Sequence, residues 1–154
     1  MIKILIVDDH ALIRKGIKQL LEDSSDIKIT GEAESGMQAI SLMRKNYYDL
    51  VLLDIVLPDK HGMEVLKQIK AEQPSIKIIV LSAHPEDQYG VRALKVGASG
   101  YINKQSSPEK MVGAIRQVIS GRKFISEHLA EQLLNNLTGE FPELMHQSLS
   151  NREY

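Results

Sequence analysis

A doubly wound α/β fold, with a five-stranded parallel sheet between two layers of helices, is what this 154-residue sequence predicts. Three observations predict it. Five short apolar runs, the first rich in β-branched residues, recur along the first two thirds of the chain. They are continuous rather than alternating, which suits strands buried on both faces. A segment with helical spacing follows each run, and strand–helix–strand alternation at this density argues parallel neighbours joined by right-handed crossovers.

The elements follow in order. The first run is Ile2–Val7, and the helix after it gathers Ile13, Ile17, Leu20 and Leu21 on one face, with Asp9 or His10 placed to cap its start. A second, weaker run covers Ile27–Ala33, and Ala39, Ile40 and Met43 mark the next helix. Leu50–Leu53 is the third run, followed by a helix carrying Val65, Leu66 and Ile69. Ile76–Leu81 is the fourth, followed by Val91, Leu94 and Val96. Gly100–Ile102 is the fifth. Pro108, after Ser106 and Ser107, opens a helix with Met111, Ile115, Val118 and Ile119 inward, and Gly121 stops it. Leu129, Leu133, Leu134 and Leu137 then predict a further short helix. Thr138–Ser148 holds Gly139 and Pro142 among mixed polar residues and reads as a linker before the closing "LSNREY".

Composition narrows the function. Lys and Arg total 19 against 20 Asp and Glu, so no basic nucleic-acid surface extends over the whole chain. With no cysteine, a disulfide scaffold and a thiolate metal site are excluded, and a reducing compartment fits. No apolar run is long enough to span a bilayer and the N-terminus lacks a signal-peptide pattern. A soluble, cytoplasmic protein that does not engage membranes is expected.

In an open parallel sheet, ligands bind beyond the carboxyl ends of the strands. There the first strand delivers Asp8 and Asp9, the third Asp54, the fourth Ser82 and the fifth Lys104. Taken singly, each has an ordinary reading: turn residue, helix cap, loop hydroxyl or solvated ammonium. Their joint placement at four strand ends is harder to reach by accident. Three close carboxylates repel unless something offsets their charge. A hard divalent cation with oxygen ligands does so, and Mg²⁺ commonly binds through one or two carboxylates, waters and a phosphate. A carboxylate is also a known nucleophile toward phosphoryl groups. The cation and Lys104 would neutralise charge on the transferring group.

The stretches "VDDH", "LLDIVLPDKHG", "VLSAH" and "GASGYINK", in this order and spacing, resemble the receiver domain of a bacterial two-component response regulator over residues 1–121. The resemblance implies the strand order 2-1-3-4-5. It also implies that Asp54 accepts a phosphoryl group from a sensor histidine kinase, with Mg²⁺ as cofactor. Asp9 resembles the main metal-binding acid and Asp8 its partner, often acting through water. Val56 would offer its backbone carbonyl to the metal. Ser82 and Lys104 would bind the phosphoryl group, for which the small Ala83 leaves room. Tyr101 matches the aromatic that turns inward when Ser82 moves, although a tyrosine near a strand end is ordinarily half-buried with its hydroxyl in water. Pro58 and Gly62 fit the loop after Asp54, where glycine permits close backbone approach. Many receivers have proline after the lysine; Gln105 stands there, which puts a cis peptide in this loop in doubt.

"LSNRE", residues 149–153, resembles the opening of a LuxR-type helix-turn-helix domain. The implied class is the NarL/FixJ-type regulators, transcription factors that dimerise on activation. The expected division is a receiver at 1–121, a linker helix and linker at 122–148, and the start of a truncated output domain at 149–154. DNA would be contacted only through the missing part. Such a protein is a switch rather than a turnover enzyme, although it catalyses its own phosphoryl transfer and dephosphorylation.

Three rival readings compete with this one. An aspartate-nucleophile phosphatase would need an acid two residues after Asp54, where Val56 cannot transfer a proton. A flavodoxin-like cofactor binder would need Ser/Thr and Gly donors where Asp8 and Asp9 stand. A pseudo-receiver serving only as an interaction module is the remaining alternative, and the complete acidic set with Ser82 and Lys104 argues against it.

Overall fold

In the computed structural model, residues 1–83 and 89–135 are described. Five parallel strands, β1 (Ile2–Val7), β2 (Ile27–Ala33), β3 (Leu50–Asp54), β4 (Lys77–Ser82) and β5 (Gly100–Asn103), form one sheet in the order β2-β1-β3-β4-β5. Helices α1 (Ala11–Leu21), α2 (Gly36–Lys45), α3 (Gly62–Glu72), α4 (Gly90–Val96) and α5 (Pro108–Ile119) follow the strands in turn. A sixth helical segment runs through residues 127–135.

Strand alternation sends successive side chains to opposite faces, and the core is accordingly two layers. Leu5, Val7, Val51, Leu53, Ile78, Val80 and Tyr101 point to one side, where Ala39, Met43, Leu66, Ile69 and Leu94 from α2, α3 and α4 meet them. Ile4, Ile6, Leu50, Leu52, Ile79, Leu81 and Ile102 point to the other, against Ile17 and Leu21 of α1 and Met111, Ile115 and Val118 of α5. The continuous apolar runs thus reflect burial on both faces. The weaker β2 run is an edge strand with partly exposed residues between Ile27 and Ala33.

Local signals set the ends. Ser107 Oγ accepts from the backbone N–H of Lys110 with Pro108 in the first turn of α5, as the sequence predicts. Gly121 follows that helix at φ 101°, a conformation that favours glycine. Gly62 is demanded by space rather than by dihedral. A Cβ there would lie 2.6 Å from Asp54 O and from Ile55 Cα, both backbone atoms that cannot give way. Helix α3 therefore starts pressed against the end of β3. The peptide bonds among the described residues are trans, that after Lys104 included.

Beyond α5 the chain returns to the sheet. Phe124 forms a parallel bridge with Gly100, accepting from the backbone N–H of Tyr101 (3.1 Å) and donating to Ser99 O (3.0 Å). This covers part of the open edge of β5. Leu129 is fully buried in the α2–α3–α4 layer, and a Cβ on Gly90 would meet its Cδ1 at 2.8 Å. Burying a leucine this completely gives a direct test. Leu129→Ala should cost about 2–5 kcal/mol of unfolding free energy. Leu134→Ala, at a residue 62% exposed, should stay within about 0.5 kcal/mol. Urea denaturation of both variants makes the comparison; equal effects would mean that residues 127–135 do not dock as described.

Candidate functional site: an acidic pocket with a shared lysine

Asp8 follows the last residue of β1, Asp54 ends β3, Ser82 ends β4 and Lys104 follows β5. Parallel pairing aligns these ends. Val7 pairs with Leu53, Asp54 with Leu81, and Ser82 with Asn103, so the residues just beyond converge on one rim. The backbone N–H of Lys104 donates to Ser82 O (2.9 Å), fixing the last turn of that rim.

Lys104 binds the site together. Its Nζ donates to Asp54 Oδ2 at 2.9 Å and lies 3.0 Å from Asp8 Oδ2. Asp8 is fully buried and Asp54 is 2% exposed. The second contact is close enough for an ion pair but off hydrogen-bond geometry, so Asp8 Oδ2 remains a buried oxygen without a hydrogen-bond donor. Asp8 Oδ1 accepts from the backbone N–H of His10 (2.9 Å), and His10 Nδ1 lies 2.9 Å from it. Arg14 reaches back to the Asp8 carbonyl and pairs with Glu32. Asp54 Oδ1 accepts from the backbone N–H of Val56 (3.1 Å).

The predicted residues thus differ in environment. Asp9 faces solvent, with His10 Nδ1 3.1 Å away. Val56 is 65% exposed, on a loop held by an antiparallel bridge to His61. Ser82 is buried at the end of its strand, and Ala83 beyond it is exposed. Tyr101 is 3% exposed and packs within the core, instead of lying half-buried with its hydroxyl in water. Two further residues bear on the site, Asp59, which the sequence does not single out, and His10, which it offers only as a helix cap. Asp59 caps α2 from the loop after β3, accepting from the N–H groups of Gly36 (2.8 Å) and Met37 (3.0 Å). His10 occupies the N-cap position of α1 but makes no side-chain cap bond; its imidazole turns to the acids instead. Its place directly after two aspartates was the available signal, and the capping reading absorbed it.

The charges are tuned by burial and by one ammonium. Burial pushes the Asp54 carboxyl above its usual value, the Asp8 charge adds to this, and the bonds from Lys104 and Val56 oppose it without reversing it. Burial works to lower the Lys104 ammonium, but its contacts with Asp54 and Asp8 outweigh that and hold it above the usual lysine value. A single cation shared by two buried acids explains why both partners shift upward.

A divalent cation fits these residues. Ligand atoms of Asp8, Asp9, His10 and Asp54 all lie within 4.8 Å of one another. Three of the four residues are oxygen donors of the kind Mg²⁺ prefers. One ammonium shared by two buried acids leaves negative charge in excess, which a cation would offset.

The raised Asp54 value has a consequence for stability. The native state holds that proton more tightly than the unfolded chain, so stability falls as pH rises from the ordinary aspartate value through the folded one. Asp54→Asn, which mimics the neutral acid, should therefore be more stable than wild type at neutral pH, and the gap should close on acidification through that window. Metal-free urea denaturation at several pH values measures it. A gap that widens on acidification would contradict the direction of the shift.

Comparison with known proteins adds a second line. The family model described as "Response regulator receiver domain" matches residues 4–116. The response regulator UvrY of Escherichia coli strain K12 is 40% identical over 154 residues, covering 99% of this chain and 71% of the relative. A two-component response regulator of the LuxR family from Aurantimonas superposes with a TM-score of 0.80 at 29% identity, covering 88% of this chain and 97% of that one. RcsB, in a structure of two dimers bound to two parallel DNAs, superposes with a TM-score of 0.74 at 28% identity, covering 86% and 67%.

Proposed function

This chain belongs to the response regulator receiver family, and from that premise we propose that it is a switch set by phosphorylation of Asp54, with a sensor histidine kinase as donor and Mg²⁺ as cofactor. The observation that carries the reading is Lys104 Nζ within 3.0 Å of both Asp8 and Asp54. An ammonium so placed lies where an oxygen of a phosphoryl group on Asp54 would need a counter-charge. The pseudo-receiver alternative gives no reason to bury two acids around one lysine.

Each residue then has a task. An Asp54 carboxylate oxygen attacks phosphorus, the bond from phosphorus to the donor histidine nitrogen breaks, and that nitrogen keeps the electron pair. The Val56 N–H and Lys104 orient the carboxylate beforehand. Asp9, Asp8, Asp54 and the Val56 backbone carbonyl are the proposed cation ligands, with Asp8 acting through water. The cation supplies charge neutralisation to the phosphoryl oxygens. The Ser82 hydroxyl and the space beside Ala83 take the remaining oxygens. Asp54 must be ionised to attack, and the cation's positive charge favours that form against burial.

Ser82 and Tyr101 are the proposed relay. Ser82 ends β4 and Tyr101 lies on β5, where its N–H is bonded to Phe124. Movement of Ser82 toward a phosphoryl group would repack Tyr101 and shift the α4–β5 face between two packings. The output proposed is a LuxR-type DNA-binding domain beginning at residue 149, following a receiver at 1–121 and a linker at 122–148. Residues 136–154, with the "LSNREY" motif, lie outside the described residues. RcsB dimers bind DNA, and by that analogy activation would favour a homodimer. No helix among the described residues is long and apolar enough to cross a membrane, in keeping with a proposed cytoplasmic location.

Intact mass after incubation with acetyl phosphate and Mg²⁺ tests the core of this proposal. Wild type should gain one phosphoryl adduct, Asp54→Asn none, and Asp9→Asn the adduct more slowly or only at higher Mg²⁺. An adduct on Asp54→Asn formed as fast as on wild type would remove Asp54 as acceptor. In the same series Ser82→Ala should still be modified but lose most of the amide-resonance shifts across α4 and β5. Shifts identical to those of wild type would remove the relay.

A further inference from the structure

His10 does not do what its position favours. Ser35, His61 and Ser107, at the N-caps of α2, α3 and α5, each accept from a backbone N–H of the helix they open. The His10 side chain accepts none. Its imidazole instead spans the acidic pair, with Nδ1 2.9 Å from Asp8 Oδ1 and 3.1 Å from Asp9 Oδ1. These spacings carry chemical meaning. Two neighbouring donors of an octahedral cation, each at about 2.1 Å from it, sit about 3 Å apart. Nδ1 is therefore spaced from each of the two carboxylate oxygens as one donor of such a shell is from its neighbours. Ligand atoms of Asp8, Asp9, His10 and Asp54 lie within 4.8 Å of one another, and Lys104 Nζ, 3.0 Å from Asp8 Oδ2 and 2.9 Å from Asp54 Oδ2, is shared between two buried acids.

We propose that His10 is the selectivity ligand of the pocket, supplying a nitrogen donor to first-row transition cations that compete there with Mg²⁺. This rests on the reading of the pocket as a cation site. Mg²⁺ is a hard ion that takes oxygen and water, so it gains nothing from an imidazole. Co²⁺, Ni²⁺ and Zn²⁺ gain a strong donor from it. Coordination through Nδ1 requires the proton to reside on Nε2, and the side chain is 61% exposed, so water can accept that N–H. The exposure also lets the ring be removed without opening the core. The pocket thereby has two donor sets in one place: oxygens alone for a hard ion, oxygens plus one nitrogen for a borderline ion.

Calorimetric titration of the 154-residue chain with NiCl₂ and with MgCl₂ tests this. Four other histidines could bind nickel, so the event counted is the one that excess Mg²⁺ suppresses. In His10→Ala and His10→Asn the nickel affinity of that event should fall about tenfold or more. The Mg²⁺ affinity should change by less than about threefold, because Mg²⁺ takes oxygen donors. Co²⁺ loaded at the same site should show visible d–d bands that move when His10 is replaced, a signature that a merely structural role would not give. Unchanged nickel affinity would overturn the proposal, as would an equal loss for both ions. Absence of any Mg²⁺-suppressible event in wild type would overturn the cation site itself and this inference with it.

Discussion

Two carboxylates buried beside one ammonium set the terms for the rest of the molecule. Asp8 and Asp54 are almost entirely withdrawn from water, and Lys104 serves both. Desolvating two acids is costly, and one cation cannot fully offset it. The remaining imbalance appears as the upward pull on Asp54 and as the Asp8 oxygen that Lys104 approaches only off hydrogen-bond geometry. Under the proposed function, added positive charge and a phosphoryl group engaging the same lysine would draw on that imbalance, and the two apolar layers keep the charges in place.

Those layers explain how the charges can be held so closely. Every strand that feeds the rim is buried on both faces, from Ile4–Val7 in β1 to Ile78–Leu81 in β4. A slip of one residue in any of them would exchange the two core faces, so register is strongly specified. With register set, the side chains just beyond the strands have little freedom in position. The loops add their own constraints. Gly62 lets α3 begin against the backbone of Asp54 and Ile55, and Asp59 ties the same loop to the start of α2.

The segment after α5 connects the rim to the outer edge of the sheet. Phe124 bonds to Ser99 and Tyr101 along β5, and Leu129 packs on Gly90 at the start of α4. Tyr101, proposed to move with Ser82, therefore bonds directly to Phe124 and shares a core layer with Leu129. A repacking of Tyr101 would be felt by Phe124 through a backbone hydrogen bond, with no need for a long chain of intermediaries.

Much of this was legible beforehand, for a specific reason. Strand runs are legible to within a residue or so because burial on both faces writes a continuous apolar signal in segments too short for a helix. The boundary of α5 was legible because Ser107, Pro108 and Gly121 act locally. Asp8, Asp9, Asp54, Ser82 and Lys104 were legible as a set because a parallel sheet places all strand ends on one rim. By itself, then, the sequence determined the fold class, the rim and the residue types on it. Tertiary structure decided what depends on distances between residues far apart in the chain: which acid is buried and which is wet, that Lys104 is shared, that Tyr101 lies inward and that Leu129 belongs to the core. It also decided that His10 turns from its helix to the acids. Electrostatic environment and packing are properties of the assembled neighbourhood, and no local pattern encodes them.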